Sequence, residues 1–291
     1  MTEPAIAILP YGHRLGPKLA SVPLSDLIWP EGCPDRLTGK TVGDLQPTDH
    51  LIMYPNSTVH LRLRRGTRAR ISLMMGEPSA IHAKHDRMLR YTWRRFFRVL
   101  TFHDVLLNSL PNAVFLPYGV TMVPDWRDLT VEKTKFCSLI ASAKRDLVGH
   151  QLRHSLIDWV RETGADVDIM GRGYMPFENK SDGLAPYRYS VVIENVRERN
   201  YFSEKLTDAI LCSTVPIYWG CPNIGDFMDT SGMILCESEA DIQQAINAAS
   251  AQDYAQRLPH LQAIQDQAAD LGDFEGRAVR TLRAQVNGAS A

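Results

Sequence analysis

The chain has 291 residues, 44% of them hydrophobic and 22% charged, so it is globular, and disordered or fibrous classes are excluded. At about 150 residues per domain the length predicts two domains or one large one. The formal net charge is −1, yet residues 1–130 hold 16 Lys and Arg against 11 Asp and Glu and the remainder 16 against 22, which predicts two units with different partners.

The chain starts Met1-Thr2-Glu3-Pro4 without a basic, then apolar, leader, and no run of eighteen apolar residues follows, so neither a secretory signal nor a membrane span is expected. Ala5–Leu9 reads as a buried strand closed by Pro10 and Gly12, and the Pro- and Gly-rich stretch 10–50 as loops with short elements. His50–Tyr54, Ile71–Met75, Val99–Leu107 and Ala113–Leu116 read as further strands. They lack clean alternation, as strands buried on both faces of a parallel sheet do. Pro117–Asp128 reads as a linker, which places a boundary at 128/129. A second series follows: strand 135–142, helix 146–163, strand 166–170, strand 189–194, helix 203–213, strands 215–219 and 233–236, a helix capped by Ser238, and a helical tail from Asp253. Alternating strands and helices imply βαβ units. The expectation is α/β, with two Rossmann-like domains, 1–128 and 129–291, facing across a cleft.

The chemistry concentrates in Tyr189–Gly220, YSVVIENVRERNYFSEKLTDAILCSTVPIYWG. It reads as strand, loop, helix, strand, and ligands of open α/β sheets sit at the carboxyl ends of strands. Ser203 is a good N-cap. The first helical turn offers N–H groups and positive dipole to an anion, Lys205 adds a cation, and Glu204 an acceptor suited to sugar hydroxyls. Spacing alone leaves two readings open: a nucleotide-diphosphate site with a sugar-contacting carboxylate, or an ordinary capped helix with solvated charges.

Glu194-Asn195, Tyr201-Phe202-Ser203-Glu204-Lys205 and Val215-Pro216-Ile217-Tyr218-Trp219-Gly220-Cys221-Pro222 resemble, in order and spacing, the signature of the family 10 glycosyltransferases, the α-1,3/4-fucosyltransferases. The likeness covers roughly residues 135–237. It implies a GT-B fold and transfer of fucose from GDP-fucose, with inversion, to a hydroxyl of a glycan acceptor such as a surface polysaccharide or lipopolysaccharide. It also implies donor contacts from Asn195, Tyr201, Glu204 and Lys205. A diphosphate-binding arginine is implied on the helix after Ala141-Ser142; Arg153 is the candidate, with Lys144 and Arg145 in competition. The general base is implied at Glu77 of Met75-Gly76-Glu77-Pro78, with His85 or a water as alternatives. No metal or other cofactor is expected. A different nucleotide-sugar donor, or a non-catalytic glycan- or nucleotide-binding module, remain the rival functions.

Several features mislead more than they inform. Asp166-Val167-Asp168 has the form of a metal–diphosphate motif but falls at a strand start, and reads as a strand-edge pair. Gly171-Arg172-Gly173 is a strand-end loop, short of a dinucleotide fingerprint. His82 and His85 lack a third metal ligand. Five scattered cysteines without a C-x-x-C pair predict a reduced, cytoplasmic chain, with Cys212 in the core and Cys221 accessible. Residues 60–98 carry eleven Lys and Arg against Glu77 and Asp86, with Trp93, Phe96 and Phe97 interleaved. This reads first as a solvated face whose aromatics enter the core, and second as a surface for an anionic partner, a charged acceptor glycan or, more sharply, the inner membrane surface in peripheral docking; nucleic acid is not expected as a partner.

Overall fold

The computed structural model describes residues 3–288. The chain forms two compact units, one up to Tyr118 together with the stretch from Phe274 onward, the other Gly119–Asp273. In the first, β1 (Ile6–Leu9), β2 (His50–Met53), β3 (Arg70–Met74), β4 (Val99–Thr101) and β5 (Ala113–Phe115) form one parallel sheet in sequence order. Leu51, Met53, Ile71, Leu73 and Val99 are buried in its core, and the residues between them, Ile52, Ser72 and Leu100 among them, are buried as well, so these strands are covered on both faces and show no clean alternation. Helix α1 (Ser79–Thr92) follows β3, and α2 (Asp104–Ser109) follows β4. The strand expected over 99–107 stops at Thr101, because His103 turns the chain into α2 and Asp104 sits in its first turn. Between β1 and β2 the helical elements are all short 3-10 turns, with isolated bridges of Ile8 to Ile28 and Pro23 to Thr41, in keeping with the Pro and Gly content there.

The second unit contains β6 (Lys135–Ile140), α3 (Val148–Thr163), β7 (Val167–Met170), β8 (Tyr187–Ile193), α4 (Glu204–Leu211), β9 (Val215–Trp219), β10 (Ile234–Leu235), α5 (Glu239–Ala248), α6 (Ala251–Ala263) and α7 (Gln265–Gly272). Its parallel strands run in the order β10-β9-β8-β6-β7. After β6 the chain moves outward to β7, then returns to place β8 on the other side of β6. The order therefore reverses between β6 and β8, and a crevice opens at such a reversal, outside the carboxyl ends. Pro216 within β9 fits for a local reason. The Trp219 carbonyl accepts from the Glu194 N–H and the Tyr218 carbonyl from the Cys236 N–H, both at 2.9 Å. Residue 216, like 218, thus turns toward β10, which starts only opposite Ile217, and the missing N–H breaks no ladder bond.

The unit limits differ from the expected 128/129 boundary. Residues 119–123 are already tied to α4, whose Asp208 carboxylate accepts from the Thr121 hydroxyl at 2.7 Å and the Met122 N–H at 2.9 Å. The last helix, α8 (Phe274–Gly288), belongs to the first unit rather than to 129–291. It buries Phe274, Ala278, Val279 and Leu282. Tyr54 donates to Glu275 at 3.0 Å, and Arg277 to the Pro117 carbonyl at 2.8 Å.

Candidate functional site

A cavity of about 520 Å³ lies at the reversal between β6 and β8. Its walls come from the segment after β6, the first turns of α3, the carboxyl half of β8 with Asn195, and the start of α4. Two helix N-termini therefore meet it, an arrangement that favours an anion. The approach is close: Gly149, in the first turn of α3, donates to the Asn195 carbonyl at 3.0 Å. A Cβ at this position would lie 1.8 Å from the Glu194 carbonyl oxygen. At Gly171 φ is +110°, and a Cβ would lie 2.2 Å from the Ala141 carbonyl oxygen, so glycine is needed on both counts.

The wall of the cavity next to α4 is built on a buried carboxylate. Glu194, 0% exposed, accepts from the Ser203 N–H at 2.8 Å and the Ser203 hydroxyl at 2.6 Å. Burial pushes its pKa up, against the pull of Lys205 and the Ser203 bonds. Ser203 caps α4 by accepting from the Lys205 N–H. The Lys205 ammonium stands 2.8 Å from Glu204, 2.9 Å from the Ser203 hydroxyl and 3.8 Å from Glu194. Burial alone would depress its pKa, but Glu194 and Glu204 hold it above the usual lysine value. Glu204 is also costly to bury, yet Lys205 keeps it ionised, with its pKa lowered. Lys205 is thus a fixed, charged donor held against the helix start.

Arg153, on α3 and 5% exposed, reaches across to β8. Its guanidinium donates to the Ile193 carbonyl and to Asn195 Oδ1, the latter at 3.2 Å. Burial lowers its pKa, opposed by Glu194. Arg153, Asn195, Glu204 and Lys205 therefore line one cavity, and so does Lys144, while Arg145 is not part of the lining. Tyr201 is buried and is also not part of the lining. The loop that carries it is braced by paired side chains: Asn223 accepts from the Asn200 N–H and donates to the Asn200 side chain, both at 2.9 Å. Arg197 pairs with Glu237 at 2.9 Å.

Two lining cations lay outside the expected set. Arg172 is exposed on the turn after β7. Lys180, on the 3-10 turn Lys180–Gly183, lines the cavity, and among the described residues no carboxylate lies within 4.0 Å of its ammonium. Burial lowers its pKa, while Glu204 and Asp208 pull the other way. No motif marks it; it arrives through the connection from β7 to β8, and only the strand order brings it in. Five cations thus face Glu178 and Glu204, a surplus of positive charge suited to a diphosphate.

In the first unit Glu77 is exposed, three residues beyond β3 and two before α1. His103 Nε2–H donates to the Glu77 carbonyl at 2.9 Å, and Nδ1 faces the Asp86 carboxylate at 3.1 Å. His85 Nδ1 is 3.0 Å from His60 Nε2. Among the described residues no group of three His, Cys, Asp or Glu side chains could hold a metal ion. Asp168 instead accepts from Lys135 at 2.9 Å and Tyr187 at 2.7 Å, the strand-edge role expected of it. All five cysteines are free thiols. Cys212 is in the core, and Cys221, expected to be accessible, is buried within the turn that follows β9. No helix of the described residues is long and apolar enough to cross a membrane.

No family model matches the chain. An α-(1,3)-fucosyltransferase of Helicobacter pylori is 29% identical over 115 residues, which are 40% of this chain and 24% of that protein. The chain thus spans about a quarter of the length of that curated relative. A crystal structure of an α1,3-fucosyltransferase superposes with a TM-score of 0.50 at 17% identity, covering 71% of this chain and 68% of that one. A UDP-forming α,α-trehalose-phosphate synthase from Burkholderia vietnamiensis superposes with a TM-score of 0.52 at 10% identity, covering 84% and 72%. The two parallel sheets and these structural neighbours define the fold: it is the GT-B type of the glycosyltransferases. The sequence likeness within that fold is to fucosyltransferases.

Proposed function

We propose that the chain is an inverting glycosyltransferase that moves fucose from GDP-fucose to a hydroxyl of a glycan acceptor, of surface-polysaccharide or lipopolysaccharide type. The observation that carries this reading is the cavity at the sheet reversal, where Arg153, Lys180 and Lys205 converge beside the start of α4. The sequence likeness to a fucosyltransferase supports fucose among the nucleotide sugars, and the α-(1,3) linkage of that relative is the first to test. Asn195 and Glu204 serve as the polar contacts to the donor, with Tyr201 shaping the loop from behind. The acceptor oxygen attacks the anomeric carbon, its bond to that carbon forms as the bond to GDP breaks, and Glu77 takes the hydroxyl proton. The charge growing on the departing diphosphate is met by the three cations and the N–H groups of α4, rather than by a metal ion.

The test is a thermal-shift panel of GDP, GDP-fucose, GDP-mannose, UDP-glucose and UDP-N-acetylglucosamine, followed by a transfer assay. A ligand at a hundred times its dissociation constant stabilises by about 2.7 kcal/mol. The expected result is a shift with GDP and GDP-fucose that Lys205→Ala and Lys180→Ala each diminish. Glu77→Ala keeps the shift and loses transfer. A shift confined to uridine nucleotides would overturn the donor, and transfer by Glu77→Ala near the parent rate would overturn the base.

A further inference from the structure

The first unit carries an exposed face that the transfer reaction does not use. After β2 the segment 57–65 is strapped along α1. Lys84 donates to the Ser57 hydroxyl at 3.3 Å, and His60 bonds Thr92 at 2.9 Å and His85 at 3.0 Å. Arg95 donates to the Arg62 carbonyl and Arg65 to that of Arg95. Held in this way, the segment turns Leu61 and Leu63 out to solvent, 70% and 88% exposed, with exposed Arg62 and Arg64 alternating between and beyond them. Lys84, Arg87 and Arg90 of α1 are exposed as well, and Tyr91 beside them is 87% exposed.

The aromatics of this stretch behave otherwise: Phe96 is buried, and Trp93 and Phe97 are half-buried. The apolar content that faces water is therefore the leucine pair and Tyr91, with Ile81 of α1 exposed to a lesser degree, at 47%. A single exposed leucine needs no explanation; two on a braced segment within a field of cations do. Among the described residues no carboxylate lies within 4.0 Å of Arg62, Arg64, Lys84, Arg87 or Arg90. Glu77 and Asp86 are the only acidic residues between 60 and 98, and Asp86 faces His103.

We propose that this face docks the protein peripherally on an anionic phospholipid surface. Leu61 and Leu63 enter the boundary between headgroups and acyl chains, Tyr91 lies at headgroup depth, and the cations meet the lipid phosphates. Cations alone would serve a nucleic acid equally well. Two projecting leucines add nothing to a phosphodiester backbone, whereas a bilayer rewards their burial.

The experiment is co-sedimentation of the full chain with vesicles of phosphatidylcholine alone and of phosphatidylcholine with phosphatidylglycerol, at low and high salt. Binding is expected only to the anionic vesicles and is expected to weaken with salt. Leu61→Ser with Leu63→Ser should reduce partition by roughly tenfold, and Arg62→Gln with Arg64→Gln by about fivefold per charge. Both pairs are exposed, so each double variant should keep the parent Tm, which is measured alongside. Parent-like partition of the leucine variant, equal binding to neutral vesicles, or capture of an RNA oligomer without capture of vesicles would each overturn the proposal. None of these readings depends on the transfer activity.

Discussion

Asp208 shows what burial does to one carboxyl group. It is fully buried, and one oxygen accepts from Thr121 and Met122 while the other, Oδ2, has no hydrogen-bond partner. Burial raises its pKa to about 6. A folded pKa above the unfolded one means the folded state holds the proton more tightly. The stabilisation is complete below the unfolded pKa near 4 and is lost as pH rises through about 6. Acidification from pH 7 to pH 4 should therefore favour the parent over Asp208→Asn by about 2 kcal/mol. Urea unfolding of both proteins at the two pH values measures this, and a pH-independent difference would contradict it. Lys180 and Lys205 make the complementary pair of cases. Lys205 is compensated by two carboxylates and lies in a recognisable motif, so the sequence exposes it. Lys180 lies in no motif, and only its place in the cavity lining reveals it.

Helix α3 illustrates a conflict between local preference and packing. Alanine is the better helix former by about 1 kcal/mol, so propensity favours Gly149→Ala. Packing decides the opposite, because the added methyl would overlap the Glu194 carbonyl, which is backbone and cannot swing away. Gly149→Ala is expected to lower stability by about 2 kcal/mol and to widen the gap between α3 and β8, with loss of the nucleotide-induced thermal shift. An unchanged shift would mean that this close approach is not what shapes the cavity. The segment from β8 to β9 is the counterpart: strand, loop, capped helix and strand follow one another without interruption, so Ser203 at the N-cap, the apolar stripe of α4 and the strand after it were all readable in order. The Val99–Leu107 segment was not, since a short apolar run fits a strand or a helix equally well. His103, bonded to Glu77 and Asp86, settles the matter in three dimensions.

The path of the chain at molecular scale turns on its last helix. Leu282, Val279 and Phe274 give α8 an apolar stripe that would fit the core of either unit, so its amphipathic pattern could not assign it. A chain ending after Asp273 should keep the continuous second unit and lose the first. Two urea transitions, or one broad transition, should then give way to a single one, with amide protection retained in the second unit, β6, β8 and β9 above all, and lost from β1 to β5. Protection of β1 to β5 in the truncated chain would refute this. By itself the sequence determined that there are two parallel α/β units, where most strands lie, and which side chains, from Glu194 to Lys205, start α4. Those properties reside in contiguous stretches, where periodicity and capping chemistry act over a few residues. The tertiary structure alone decided the strand order, the reversal beside β6 that opens the cavity, the arrival of Lys180 in it, the place of Arg153 and Lys144 rather than Arg145 in its lining, and the outward turn of Leu61 and Leu63. Parallel strands pair through long crossovers, so neighbours in the sheet are distant in the chain, and no local pattern states which of them will meet.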